Sequence, residues 1–210
     1  MNDAAGDAGA DGIDEGKRLV RIGGDTGLSL AERLSERFNR LTWRTPLHAL
    51  RLRGRHPLKL IAVPDDPFVG DVARGQALLG GRLSCCGEQR EIATLDLSKP
   101  DFSARFGAYL HSFAWLRDLS TVTTRAQGAA VAEALMRQWL ASHADTVSEP
   151  AWRADLWGRR ILFWTAHAPL ILSSGDLVYR SKVLNTLARG ARHLERGADK
   201  APPGAPRIAA

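Results

Sequence analysis

The sequence predicts an all-α protein built of antiparallel helical hairpins, with a small irregular α/β hairpin module ahead of them. Three observations carry this. Beyond Phe102, apolar residues recur at i, i+3 and i+4 in four successive segments. Short polar connections separate those segments, so each apolar stripe has its neighbours to pack against. Between Val63 and Pro100, by contrast, Pro64, Pro67, Gly70, Gly75, Gly80, Gly81 and Gly87 break any long helix.

In chain order, residues 1–27 read as a disordered acidic tail. Met1 to Gly16 carries Asp3, Asp7, Asp11, Asp14 and Glu15 with no Lys or Arg, and it has too little apolar surface to offset the entropy of ordering. Residues 28–100 read as a helical and irregular prelude. Ser29 and Glu32 form a capping box ahead of Leu30, Leu34, Phe38 and Leu41, and Thr45-Pro46 opens a short helical piece through Leu52. Asp71 to Leu79 fits one short helix. Leu83–Cys86 and Glu91–Leu95 fit a small hairpin around a Gly87-Glu88 turn.

Residues 101–210 hold the four periodic segments. Phe106, Tyr109, Leu110, Phe113, Leu116 and Leu119 make one apolar face, and a second helix over 125–142 uses Val131, Leu135, Trp139 and Leu140. A third, capped near Asp155, carries Ile161, Leu162, Trp164, Ala168 and Ile171. A fourth, from near Asp176, uses Val183, Leu184, Leu187, Ala191 and Leu194. The apolar run restarting at Ile208 suggests a folding unit that continues past Ala210.

The chain has 210 residues, 44% hydrophobic and 25% charged, with 29 basic and 23 acidic side chains and a formal charge of +6. Such a size supports a real core, and the charge favours an anionic partner without naming one. Arg37, Arg40, Arg44, Arg51, Arg53, Arg55 and Lys59 form a basic run with no acid among them, which fits a solvated face or an anion-binding patch. No aromatic platform for single strands accompanies it, and no nucleic acid partner is expected. No apolar stretch is long enough for a transmembrane segment. The acidic start is the opposite of a secretory leader, which points to the cytoplasm. Cys85 and Cys86 are adjacent, where a disulfide is strained, so both read as free thiols; with no further ligand cluster, no metal and no cofactor are expected.

Walker, G-x-S-x-G, H-E-x-x-H and G-x-G-x-x-G signatures are absent. What remains is a set of His, Arg and Trp side chains. His111 and Trp115 lie one turn apart and suit a sugar by hydrogen bond plus ring stacking, or a satisfied helix interface. Arg160, Trp164 and His167 repeat the pattern, because a guanidinium fork pairs an anion while an indole covers an apolar sugar face. An intramolecular cation–π contact explains the same residues.

The series Leu110-His-Ser-Phe-Ala-Trp-Leu116, Trp152-Arg-Ala-Asp-Leu156, Arg160-Ile-Leu-Phe-Trp164 and Ala191-Arg-His-Leu-Glu195 resembles the N-terminal helical region of heparinase II/III family proteins. Arg53-Gly-Arg-His-Pro-Leu58, Val63-Pro-Asp-Asp-Pro-Phe68 and Asp176-Leu-Val-Tyr-Arg180 fit the same group. The resemblance implies an incomplete (α/α) toroid followed by a C-terminal β-sandwich domain missing from this chain. It also implies β-elimination on an acidic, uronate-containing polysaccharide, and a cell-envelope or periplasmic setting. A Tyr or His base and carboxylate neutralisation are needed for that chemistry. The family's neutralising Asn has no counterpart in Gly204-Ala-Pro-Arg-Ile208, and Phe163 stands where relatives often show Asn. The chain is therefore expected to be a lyase-like helical part without a complete active site, His111, Trp115, Arg160, Trp164 and His167 binding substrate and no catalytic residue assigned. The alternative is a non-enzymatic basic helical module that binds nucleic acid, anionic lipid or a protein partner.

Overall fold

A computed structural model describes Leu52 and residues 60–98, 101–201 and 203–210. The acidic tail, the Ser29 helix and nearly all of the Thr45 piece and the basic run lie outside the described residues. The chain is mostly helical: among the described residues there are eight α-helices and one two-stranded antiparallel sheet.

The prelude and the helices share one core. Helix α1 (Val72–Leu79) begins where the Asp71 carboxylate accepts from the Arg74 amide at 2.9 Å, satisfying one of the free donors at a helix start. Strands β1 (Arg82–Cys85) and β2 (Glu88–Glu91) follow, pairing Cys85 with Glu88. The turn is Cys86-Gly87, one residue earlier than expected, and Ile92–Thr94 forms a 3-10 turn instead of extending the second strand. The reason is local: φ is 56° at Cys86 and 79° at Gly87, the left-handed pair that suits a two-residue hairpin turn. A lone hairpin is marginally stable. Here Leu83 and Ile92 are buried in the common core, and the Gln138 side chain donates to the Ile92 carbonyl at 2.9 Å.

The expected face from Phe106 to Leu119 is buried throughout, but on two helices, α2 (Ala104–Ser112) and α3 (Trp115–Val122). The break is Phe113, at φ 64°, where the αL conformation redirects the chain and drives the ring inward. Ser103 caps α2 through the Phe106 amide. Helix α1 approaches α3 so closely that a Cβ at Gly75 would stand 2.3 Å from the Asp118 carbonyl oxygen. Asp118 secures this contact by accepting from the Asp71 amide at 2.7 Å and the Tyr109 hydroxyl at 2.6 Å.

Helix α4 (Arg125–His143) matches its predicted span closely. The third expected helix is also divided, into α5 (Ala154–Ala166) and a single turn, α6 (Ala168–Ile171), with His167 between them and Pro169 in the second piece. Helix α7 (Leu177–Gly197) starts at Asp176, whose carboxylate accepts from the Val178 and Tyr179 amides. Helix α8 (Ala205–Ala209) ends against Gly158 of α5 and leaves Ile208 exposed.

Helices α5 and α7 pack through Gly190, where an added Cβ would lie 2.0 Å from the Trp157 ring. Replacing Gly190 by Ala forces a fully buried indole to move, and overpacking of this kind destabilises by about 1–3 kcal/mol. Gly175, with nothing near its Cβ position, is the control. Urea unfolding of Gly190→Ala should show a clearly lowered midpoint and that of Gly175→Ala a midpoint near wild type. Equal midpoints for the two variants would contradict the packing described.

Candidate functional site

His111, Arg160 and Trp164 meet, but in the interior and not on a solvent-facing wall. Arg160 is 0% exposed, Trp164 and His111 1% each. The Arg160 guanidinium lies 4.2 Å from the Trp139 ring centroid and 4.2 Å from that of Trp157, with Phe113 at 5.6 Å. Its Nε donates to the His111 carbonyl at 2.8 Å, and Nη2 donates to the same carbonyl and to the Ala151 carbonyl at 2.8 Å. The fork ties the end of α2 to the loop before α5. Trp164, four residues on, is not its cation–π partner but stands edge-on to Trp139 at 5.8 Å and to Phe113 at 5.1 Å. The intramolecular alternative weighed for these residues is the arrangement found, with different rings.

Local sequence explains half of this. Trp157, Arg160 and Trp164 sit three and four apart on one face of α5, and Trp139 and His143 sit four apart on α4. The other half comes from Phe113, which the left-handed break inserts between the two helices.

Two histidines border the cluster. His111 Nδ1 accepts from the Trp139 indole N–H at 3.1 Å, and its ring meets that of His143 edge-on at 5.1 Å. Desolvation, then the Arg160 charge and His143, push His111 down to about 3. Desolvation and Arg160 push His143 down to about 4. Both are neutral at physiological pH. Burial also pushes the Arg160 guanidinium well below its ordinary range, and among the described residues no carboxylate pairs with it.

Trp115, expected to share a sugar with His111, is 0% exposed and packs on Phe113 at 5.2 Å. His167 belongs to another cluster. Its Nε2 lies 3.1 Å from Asp66 Oδ2, and Arg117 holds the same carboxylate in a two-point fork at 2.7 and 2.9 Å. Phe163 stacks on His167, and the Arg117 guanidinium covers Phe163 at 4.9 Å. This cluster clips the extended segment before α1 onto α3 and the end of α5, across 101 residues of sequence. Nothing in the sequence linked Asp66 or Arg117 to His167, since neither lies near it in the chain.

The substrate-binding expectation thus changes in kind. A saccharide cannot stack on rings already covered by protein on both faces. Among the described residues, open relief lies along α7, beside α4 and the turn that follows it. One cleft of about 550 Å³ is lined by Asp145, Leu177, Val178, Ser181, Lys182, Asn185, Thr186 and Arg189. A smaller one of about 200 Å³ adjoins it, sharing Val178 and Lys182 and adding Arg137, Leu140, Ala141, Asp176 and Tyr179. Leu177 and Val178 are 73% and 79% exposed on its rim. Arg137 spans Glu133 at 2.6 Å and Asp176 at 2.8 Å and covers the Tyr179 ring at 4.3 Å. Among the described residues no group of three or more His, Cys, Asp or Glu side chains could hold a metal ion, and no helix is long and apolar enough to cross a membrane.

The fold and its surfaces define a helical module with a sealed aromatic–guanidinium centre and an open groove of mixed character. Compared with known proteins, the chain is similar to FtsZ-localized protein C of Caulobacter vibrioides, at 30% identity over 156 residues, covering 70% of this chain and 25% of that protein. The chain therefore spans about a quarter of the length of that relative. No family model matches, and no solved structure matches.

Two outcomes follow from the cluster. Arg160→Lys keeps the charge but loses the planar fork and its stacking, and should destabilise by about 2–4 kcal/mol in denaturant unfolding; a wild-type midpoint would remove Arg160 from its tying role. The second concerns pH. The folded-state values of His111 and His143 lie below the ordinary imidazole value of 6.5, so the unfolded chain binds more protons as pH falls through that range. Stability present at pH 7 should decline from about pH 6.5 downward, the loss levelling off only near the folded values. His143→Phe should flatten the dependence of the urea midpoint on pH between about 7 and 5. An unchanged slope would contradict the assignment.

Proposed function

We propose that this chain is a non-enzymatic helical docking module whose protein partner is FtsZ. The observation that carries the reading is the 30% identity over 156 residues with FtsZ-localized protein C. The geometry adds support, because the His, Arg and Trp side chains that suited a ligand are covered, while the α4–α7 groove is open. That groove pairs exposed Leu177 and Val178 with Lys182, Arg189 and Asp145. An apolar centre with a charged rim is how protein interfaces are commonly built.

Co-sedimentation with FtsZ polymers assembled with GTP tests it. The full chain should pellet with polymer and stay in solution without nucleotide. Leu177→Asp combined with Val178→Asp should weaken the association about tenfold or more, the effect of placing charges at the apolar centre of an interface. Equal recovery in the supernatant with and without polymer would end the proposal.

A second reading is favoured by the resemblance of Leu110–Leu116 and Arg160–Trp164 to heparinase II/III proteins, together with a relative some four times the matched length. In it the helices are the opening hairpins of an incomplete (α/α) toroid, and a glycan groove for uronate-containing polymers is completed by residues outside this chain. The motif residues then act as fold determinants. Retention on heparin beyond that on duplex DNA at matched salt, with no ultraviolet-absorbing unsaturated product, is the expected result. Equal retention on both polymers would argue against a glycan partner.

A further inference from the structure

Adjacent residues of a regular strand point to opposite faces of the sheet, which would keep the thiols of Cys85 and Cys86 apart. The hairpin breaks that alternation. Cys85 ends β1 with its side chain buried, and Cys86, at φ 56°, turns back so that its Sγ lies 3.2 Å from that of Cys85. Both are free thiols, and Cys86 is exposed. The turn tip is open, with nothing within 4 Å of a Cβ built on Gly87. The result is a preset pair of sulfurs with one accessible edge.

The spacing selects among ligands. A centre bound by two sulfurs at about 2.3 Å, the usual length for a thiolate to a soft ion, would see sulfurs 3.2 Å apart at an angle of about 90°. That is too narrow for tetrahedral zinc, which also needs four ligands, and among the described residues no third donor joins the pair. A disulfide would require the sulfurs to close to about 2.05 Å within a strained ring. Trivalent, pyramidal thiophiles take bond angles near a right angle. We propose that Cys85 and Cys86 form a vicinal dithiol site that chelates a soft three-coordinate thiophile of the trivalent arsenical class.

With phenylarsine oxide the step balances without redox change. Two arsenic–sulfur bonds form, the arsenic–oxygen bond breaks, and the two thiol protons leave with the oxygen as one water. Arsenic stays trivalent. Cys86 reacts first from the solvent side, and Cys85 closes the ring. Burial pushes the Cys85 thiol up to about 11, while nearby Arg74 favours its thiolate.

Intact-mass analysis of the full chain with phenylarsine oxide, followed by glutathione titration, tests the site. Wild-type protein should carry one phenylarsenic group, released by dithiothreitol. Cys86→Ser and Cys85→Ala should lose it at a glutathione concentration about a hundredfold lower, the advantage of an intramolecular second bond. Cys86→Ser alters an exposed position and keeps the comparison valid if Cys85→Ala perturbs the core. Failure to bind one equivalent, release from wild type at the same glutathione concentration as from Cys86→Ser, or isolation of the pair as a disulfide would each overturn the proposal.

Discussion

The Arg160 guanidinium, which pairs with no carboxylate among the described residues, sits where α2, α4 and α5 converge and touches all three. Taking a charge out of water costs several kcal/mol even after relaxation. Against this stand charge-assisted bonds to the His111 and Ala151 carbonyls, at about 1.5–3 kcal/mol each, and desolvated contacts with the faces of Trp139 and Trp157, at about 2 kcal/mol. These terms are of comparable size. Arg160 therefore contributes geometry more than net stability: its planar fork joins the end of α2 to the loop before α5, and Trp139 of α4 and Trp157 of α5 both pack 4.2 Å from it, their rings 6.2 Å apart and nearly perpendicular.

Further hydrogen bonds extend the same junction outward. The Trp152 indole N–H donates to the His143 carbonyl at 2.7 Å, at the end of α4, and His193 of α7 reaches the Trp152 carbonyl at 2.8 Å. Gly190 then allows α7 to lie directly on Trp157. A core so filled with aromatic rings leaves chemistry to the periphery. Among the described residues, the open relief lies in the groove along α4 and α7 and at the Cys85–Cys86 turn, while the Asp66–Arg117–His167 cluster is largely buried and serves as an internal clip. A docking role for the groove needs no catalytic group, whereas the lyase-related reading draws its reacting residues from outside this chain.

Local signals were legible where a short stretch contains its own explanation. Asp71 and Asp176 each cap the helix expected after them, and α4 follows its apolar period closely. The hairpin was expected, but its turn and second strand were displaced, because left-handed φ at a cysteine is not suggested by composition. Likewise the stripe from Phe106 to Leu119 marked the buried residues correctly without revealing that Phe113 divides it. Ala191, placed on the apolar face of α7 by period, is exposed, since the close approach at Gly190 rotates the contact. For the candidate site, spacing paired His111 with Trp115 and joined Arg160 to Trp164 and His167, whereas the structure brings His111, Arg160 and Trp164 together and places His167 in another cluster. Spacing could not say whether they faced water.

The sequence alone determined the helical character, the existence and approximate limits of α1, α4 and α7, the small hairpin and the free thiols, because each rests on interactions spanning a few residues. Only the tertiary structure decided that the aromatic and basic side chains face inward, that Asp66 meets His167, and that two adjacent sulfurs touch. Those outcomes depend on which faces of distant helices come together and on the left-handed backbone at two non-glycine residues, Cys86 and Phe113, and periodicity carries no information about either.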